Sequence, residues 1–315
     1  MVTYNEFIGI DIGKKSFFVH VHGKSTVKEY ENTPQAIEGF IKQNKAVLSN
    51  GFVVLEATGG YELALLLSLT DHDFHVHRAN TRQVKHFIRS YGNNAKTDQL
   101  DAKHLSRYGY ERHTGLALFQ ASTPNALALY ELVQRRADLK HMLVAEKNRR
   151  QSPKVKHALS SINRLLDVLT QELEDINDAI ESLIQEDDSL RHKHQVLMSV
   201  PGIGKIVSSE LLAMLPELGT INRRQAASLA GVAPRANDSG QFTGYRSVSP
   251  GRNQVKPILF LAAMAARNSK SSLKIYYEGL IARGKKKMVA LVALMRKIIV
   301  IANARLKEEM NLNNI

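Results

Sequence analysis

The sequence contains no cysteine. That excludes thiolate metal sites and a disulfide framework, and it fits a reducing compartment such as the cytoplasm. Long apolar runs are also missing. Asn5 and Glu6 precede only a short apolar stretch, so no secretory signal is expected. The most apolar late segment, Met288 to Ala304, is interrupted by Arg296 and Lys297 and is too short to span a bilayer. It reads as a buried helix. With no basic amphipathic anchor or lipidation motif, a membrane partner is not expected.

Acidic residues are scarce in one region. The chain holds 43 Lys and Arg against 30 Asp and Glu, a formal charge of +13. Residues 1–112 have 14 basic and 12 acidic residues, residues 113–198 have 11 and 12, and residues 199–315 have 18 and 6. The final third therefore carries almost the whole surplus, an electrostatic footprint for a polyanion such as nucleic acid.

At 315 residues the chain is too long for one ordinary core. Its patterns divide it into residues 1–112, 113–194 and 195–315. In the first segment, Phe7 to Asp11 and Phe17 to His22 read as paired strands around a Gly13-Lys14 turn. Thr33-Pro34 starts a helix, Phe52 to Glu56 is a buried strand, Tyr61 to Leu69 a helix and Phe74 to His77 another strand. Helices over Thr81 to Ser90 and Thr97 to Tyr108 follow, separated by a turn at Tyr91-Gly92-Asn93-Asn94.

In the middle segment Val155, Leu159, Ile162, Leu166, Leu169, Leu173, Ile176, Ile180 and Leu183 alternate steps of four and three, the rhythm of a coiled-coil seam. Leu129, Leu132, Arg136, Leu139 and Leu143 repeat it upstream, so Pro153 separates two long helices expected to form an antiparallel hairpin. Such a stripe can pair within a chain or between chains, and a homo-oligomer is the favoured expectation. From Gln195 onward the chain reads as helical and basic, broken by a Gly/Ser-rich stretch from Asn237 to Gly251. A loop of that length is either a connection or a site.

Four carboxylates fall at element ends. Asp11 and Glu56 close strands, and Asp98 and Asp101 sit three apart at a helix start, on one face. Singly, each has an ordinary explanation as a turn cap, a surface strand end or a helix N-terminal charge. Together, converging oxygens would repel one another unless divalent cations lay between them, and oxygen ligands suit Mg2+ or Mn2+. Two such ions would clamp a scissile phosphate.

Val200-Pro201-Gly202-Ile203-Gly204-Lys205 leads into an apolar helix and resembles a helix-hairpin-helix turn, whose backbone N–H groups can hold a DNA phosphate without reading sequence. A plain inter-helix turn has the same composition. In the Gly/Ser-rich stretch, Ser239-Gly240 stands among Arg235, Arg246 and Arg252, which make this a phosphate-binding loop. A serine attacking a phosphodiester must lose its proton and have the charge on phosphorus offset. Ser247, Ser249 and Tyr245 are rival nucleophiles on loop chemistry alone.

Gly-Ile-Asp-Ile-Gly-Lys with its hairpin, Leu-Glu-Ala-Thr-Gly-Gly-Tyr and Lys-Thr-Asp-Gln-Leu-Asp-Ala look like an α/β RNase H-like core of RuvC type. With the helical middle, the Pro-Gly-Ile-Gly turn and the Ser-Gly pair, nearly the whole chain resembles the DEDD insertion-sequence transposases related to the Piv invertase, the bridge-RNA-guided recombinases. The resemblance implies a RuvC-like domain with Asp11, Glu56, Asp98 and Asp101 as metal ligands, a coiled-coil middle, and a mainly α transposase domain in which Ser239 forms a 5′-phosphoserine link to DNA. It further implies double-stranded DNA partners at element ends and target, a guide RNA, an oligomer with composite sites and a cytoplasmic, nucleoid-associated location.

Three rivals follow from the same residues. A RuvC-like junction resolvase would use the four acids and metal-activated water, with no serine. An architectural DNA-binding protein would need only the basic final third. An actin-like ATPase shares the Asp-Ile-Gly opening but lacks a matching second phosphate motif here.

Overall fold

In β1 (Glu6–Ile12) and β2 (Ser16–Val21) the even-numbered residues Ile8, Ile10 and Ile12 and the odd-numbered Phe17 and Val19 are buried together, as the two-residue period of a strand requires. The strands pair antiparallel, from Ile8 opposite Val21 to Ile12 opposite Phe17. The computed structural model describes residues 3–92, 97–119, 123–152, 156–248, 251–252 and 254–312. It divides into two compact units, Met1–Ala121 and Ser122–Ile315.

In the first unit β3 (Val27–Glu31) adds an antiparallel edge to β2. This strand was not expected. Its sequence, Val-Lys-Glu-Tyr-Glu, has no clear apolar alternation, and its charges suit an edge that must not pair further. β4 (Gly51–Glu56) runs parallel to β1, and β5 (His75–Ala79) parallel to β4, giving the order β3-β2-β1-β4-β5. The mixed five-stranded sheet is consistent with an RNase H-like fold. Phe52, Val53, Val54 and Leu55 are all buried because a parallel strand is covered on both faces.

On one face α1 (Pro34–Ser49), capped by the Thr33 side chain, and α2 (Leu63–Asp71) pack over Ile8, Ile10, Val53 and Leu55. On the other, α3 (Thr81–Arg89) and α4 (Asp98–Arg112) pack over Phe7, Phe52 and Val54. Helix α4 lies unusually close to β1. A Cβ on Gly9 would fall 2.1 Å from the Ser106 nitrogen and 2.2 Å from the Ala102 oxygen, so only glycine admits this helix. The expected turn residues Asn93 and Asn94 lie outside the described residues.

The second unit opens with α5 (Pro124–Arg150) and α6 (Leu159–Glu186). Leu129 and Val133 near the start of α5 share a core with Ile180 and Ile184 near the end of α6, so the two run antiparallel. The expected hairpin is present, and its apolar seam is used at least in part within the chain. Pro153 and Val155 lie outside the described residues. Arg136, inside the leucine stripe, is 2% exposed. Its guanidinium reaches Glu210 at 2.9 Å and Asn177 at 3.4 Å, tying the hairpin to the helix that carries Glu210.

That helix is α8 (Lys205–Met214), preceded by α7 (Asp188–Met198) and followed by α9 (Arg223–Leu229). α10 (Val255–Asn268), α11 (Ser272–Ala282) and α12 (Lys287–Leu312) complete a helical core containing Leu211, Leu259, Ala262, Leu294 and Ile298. The late apolar segment is indeed helical, but Met288 and Val289 at its start are exposed, so it is buried along a stripe. Among the described residues no helix is long and apolar enough to cross a membrane.

The Gly/Ser-rich stretch contains four two-residue strands. β6 (Pro234–Arg235) pairs with β9 (Ser247–Val248), and inside them β7 (Asp238–Ser239) pairs with β8 (Phe242–Thr243). Two nested hairpins replace what composition alone reads as a loop.

Candidate active site

Asp11 and Glu56 stand on neighbouring strands. Ile10 is opposite Leu55 in the parallel β1–β4 pair, so the next residue of each strand is one of these acids. Side chains two apart share a face. Asp11 therefore follows Phe7 and Gly9, and Glu56 follows Phe52 and Val54, on the face covered by α4. Both acids are half-buried.

The direction of α4 places its two acids. A Cβ on Gly109 would meet Phe52 and Val54, while Ala102 and Ser106 lie against Gly9. The helix thus descends from the carboxyl ends of the strands towards their amino ends, and its first turn, with Asp98 and Asp101, stands at the edge where Asp11 and Glu56 emerge. Phe18, directly opposite Asp11 across β1–β2, lines an open depression with Thr97, Asp98 and Gln99. Thr97 caps the helix by accepting from Leu100 N at 3.2 Å, and negative charge in a first turn is favoured by the helix dipole. Asp101 is half-buried and Asp98 exposed.

Among the described residues no three His, Cys, Asp or Glu side chains are grouped closely enough to hold a metal ion. The acids line an open edge and do not close a cage. That donor set fits Mg2+, which is usually held by one or two carboxylates together with substrate phosphates and water.

Two neighbours of this edge were not singled out from sequence. Glu62 is fully buried just after β4. It accepts from Thr58 N and Oγ1, both at 3.1 Å, from Gly60 N at 2.9 Å and from Arg78 Nη2 at 2.5 Å. Burial pushes its carboxyl pKa up, but these hydrogen bonds and the Arg78 guanidinium outweigh that and hold it below the ordinary value. Glu62 thereby fixes the loop that follows Glu56. His104, three residues after Asp101, is buried with no partner for Nε2 among the described residues. Burial lowers its pKa, against an opposing pull from Asp101. The signal for Glu62 was an acid closing Ala-Thr-Gly-Gly-Tyr, a loop too polar to bury one without partners.

In the second unit the Pro-Gly-Ile-Gly turn joins α7 to α8. Gly202 has φ +92°, and a Cβ there would sit 2.3 Å from the Ala262 oxygen. Gly204 is the N-cap of α8 and offers no side chain to its first N–H groups. Lys205 is 67% exposed and reaches Glu181 at 3.2 Å.

Ser239 is exposed at the end of β7, opposite Phe242 in the backbone register. The two-residue turn between them begins with Gly240 at φ +55°, the position where a hairpin of type II′ wants glycine. Beside it, Arg246 Nη1 reaches both carboxylate oxygens of Asp238 at 2.7 and 2.8 Å. Arg252 pairs with Glu217 and donates to the Met214 carbonyl. Arg235 is exposed and makes no ion pair among the described residues. Of the three arginines, one is open to solvent and two are held by acids. Tyr245 is 78% exposed and Ser247 is exposed in β9; Ser249 lies outside the described residues.

A mixed sheet with acids at one edge, followed by a basic helical unit, suits an enzyme that acts on nucleic acid. Residues 8–153 match the family model of DEDD transposases of the IS110 type, and residues 194–278 match that of the IS116/IS110/IS902 transposase family. The chain is 26% identical over 315 residues to the pilin gene-inverting protein of Moraxella bovis, covering 96% of each, and equally identical, with the same coverage, to that of Moraxella lacunata. It is 35% identical over 116 residues to an uncharacterised 43.6 kDa protein of insertion element IS110 from Streptomyces coelicolor, covering 36% of this chain and 28% of the relative. The chain belongs to the IS110 family of DEDD transposases, enzymes of DNA cleavage and transfer.

Proposed function

We infer that this enzyme cuts and rejoins the DNA of a mobile insertion sequence through a covalent phosphoserine intermediate, with Asp11, Glu56, Asp98 and Asp101 as the metal-binding set. The observation that supports the reading is that both strand-end acids and the helix turn bearing the other two lie at one edge of the sheet. Mg2+ or Mn2+ held there would offset charge on a scissile phosphate. Ser239 Oγ attacks phosphorus, the P–O3′ bond breaks, and the hydroxyl proton ends on the released 3′ oxygen, leaving 5′-phosphoserine and a free 3′-hydroxyl. Rejoining reverses these bonds with a new 3′ end, through a junction intermediate.

The family resemblance of its Ser-Gly setting supports Ser239 over the likewise exposed Ser247 and Tyr245, and its place at the tip of the inner hairpin leaves it open to a phosphate. Gly202, Gly204, Lys205, Arg235, Arg246 and Arg252 would contact phosphates of double-stranded DNA. For Arg246 and Arg252 this requires exchange of Asp238 and Glu217 for the phosphate. Residues 1–112, 113–194 and 195–315 are proposed as the RuvC-like, coiled-coil and transposase segments. Ile162, Leu166 and Leu169 of the seam are buried within the chain, so a contact between copies would use the exposed Leu165 and Val168 beside it. Guidance by a bridge RNA rests on the family resemblance.

The test is trapping. The protein is incubated with labelled element-end DNA, Mg2+ and the flanking transcript, then denatured. A DNA–protein adduct in wild type and none in Ser239→Ala is expected. Cleaved DNA without an adduct would instead assign a water-using RuvC-like nuclease.

A further inference from the structure

The charge surplus sits in the final third, yet the acid-bearing unit has a cationic surface of its own. Helix α3 carries Arg82, Lys85, His86 and Arg89 and no acidic residue. Its apolar side, Val84 and Phe87, is buried with Phe52, Val54 and Tyr108. The four basic residues are all exposed. At 3.6 residues per turn they fall within about 100° of arc, opposite Val84.

The helix dipole accounts for only part of this stripe, His86 and Arg89 in the last turn. Arg82 stands in the first turn, where the helix dipole disfavours positive charge. Lys85 and Arg89 are like charges four apart, which repel. Arg78 is paired with Glu62 and Arg107 with Glu111, whereas Arg82, Lys85 and Arg89, like Arg112 over the Phe87 ring, form no ion pair among the described residues.

Its position is equally specific. Ala79, the last residue of β5, is opposite Glu56, and Thr81 Oγ1 donates to the Ala57 carbonyl at 3.2 Å. Helix α3 therefore starts at the acid edge. It then runs beside α4, with Phe87 5.1 Å from Tyr108 between ring centroids. From Arg82 to Arg89 the stripe extends about 10 Å, about three phosphates along one strand of a duplex at ~3.4 Å each.

We propose that α3 is a phosphate rail: its exposed stripe grips the backbone of the DNA strand entering the carboxylate edge, without reading sequence. The proposal rests on that edge being the cleavage site. Binding is therefore measured on the full chain in EDTA, where cleavage plays no part. The triple variant Arg82→Gln/Lys85→Gln/Arg89→Gln is compared with Lys28→Gln/Lys42→Gln/Lys45→Gln, which loses the same charge at exposed positions of β3 and α1. The probe is a 30-base-pair duplex DNA, with a duplex RNA of the same sequence in parallel.

Loss of three phosphate contacts makes the slope of log K against log salt less negative by roughly 2 to 3. That loss is expected on DNA for the α3 variant alone, with an unchanged melting temperature, and Arg82→Lys/Lys85→Arg/Arg89→Lys should restore the slope. Equal losses in both triple variants would reduce the effect to net charge, and loss on RNA alone would assign the stripe to another ligand. Either result, or no loss at all, overturns the rail. Failure of the cleavage reading would show instead as retained cutting by Asp101→Asn, with the slopes unaffected.

Discussion

The acids of the first unit stand on strand ends and a helix start packed into a two-faced sheet, whereas the candidate nucleophile of the second stands on a two-residue strand at an exposed hairpin tip. The role proposed for the acids, ligands of a shared cation, needs fixed spacing, and a buried framework supplies it. A hydroxyl that must meet an external phosphorus needs access, which the hairpin gives. The charges follow the same division. The first unit concentrates acids at one edge with cations beside it, and the second spreads lysines and arginines over helices.

The comparison is broken most severely at the acids. Asp101→Asn or Asp11→Asn is expected to reduce strand cleavage by roughly 100- to 1,000-fold, the order seen for loss of a principal electrostatic element, while duplex binding in a mobility-shift assay persists. Next is the framework. Gly9→Ala drives a methyl group into the α4 backbone, and a cost of about 3 kcal/mol or more is expected, read as a lower midpoint in chemical denaturation. If the stability is unchanged, close strand–helix contact is not what positions the helix acids. In the second unit, Arg136→Ala leaves Glu210 without its buried partner, with an expected loss of about 3 kcal/mol.

A finer distinction comes from pH. The Glu62 carboxyl is held below its ordinary pKa, so its interactions stabilise the folded state at neutral pH, and this contribution disappears as pH falls below the usual carboxylate range through the folded value. Denaturation midpoints at pH 7 and pH 4 should differ less for Glu62→Gln than for wild type. The smallest effect is expected at Lys205, whose ion pair with Glu181 is exposed. Lys205→Gln should change stability by less than about 1 kcal/mol while weakening all duplexes alike.

Most of the first unit was legible because its strands are either amphipathic hairpin strands or continuous apolar runs, and Thr33, Asn80 and Thr97 mark helix starts by their side-chain caps. β3 was not legible because an exposed edge strand has no apolar face to show. That the acids stand at one edge of the sheet could be anticipated from element ends, but the descent of α4 over Gly9 is a property of packing. Nothing in Gly-Ile-Asp-Ile-Gly tells one glycine's reason from the other's. Around Ser239 composition indicated a loop, since two-residue ladders are too short to leave a periodic pattern. Counting charge by thirds hid the α3 stripe, because the acid edge in the same unit cancels it.

The nested ladders around Ser239 also bear on entropy. Closing a chain segment costs more as it lengthens, and here the β6–β9 and β7–β8 pairs divide a stretch of fifteen residues, 234–248, until only Gly240 and Gln241 separate the innermost strands. Much of the conformational freedom that a serine on a simple loop would surrender on meeting a phosphate is thus surrendered at folding, which in the role proposed for Ser239 would leave more of the binding free energy for the transition state.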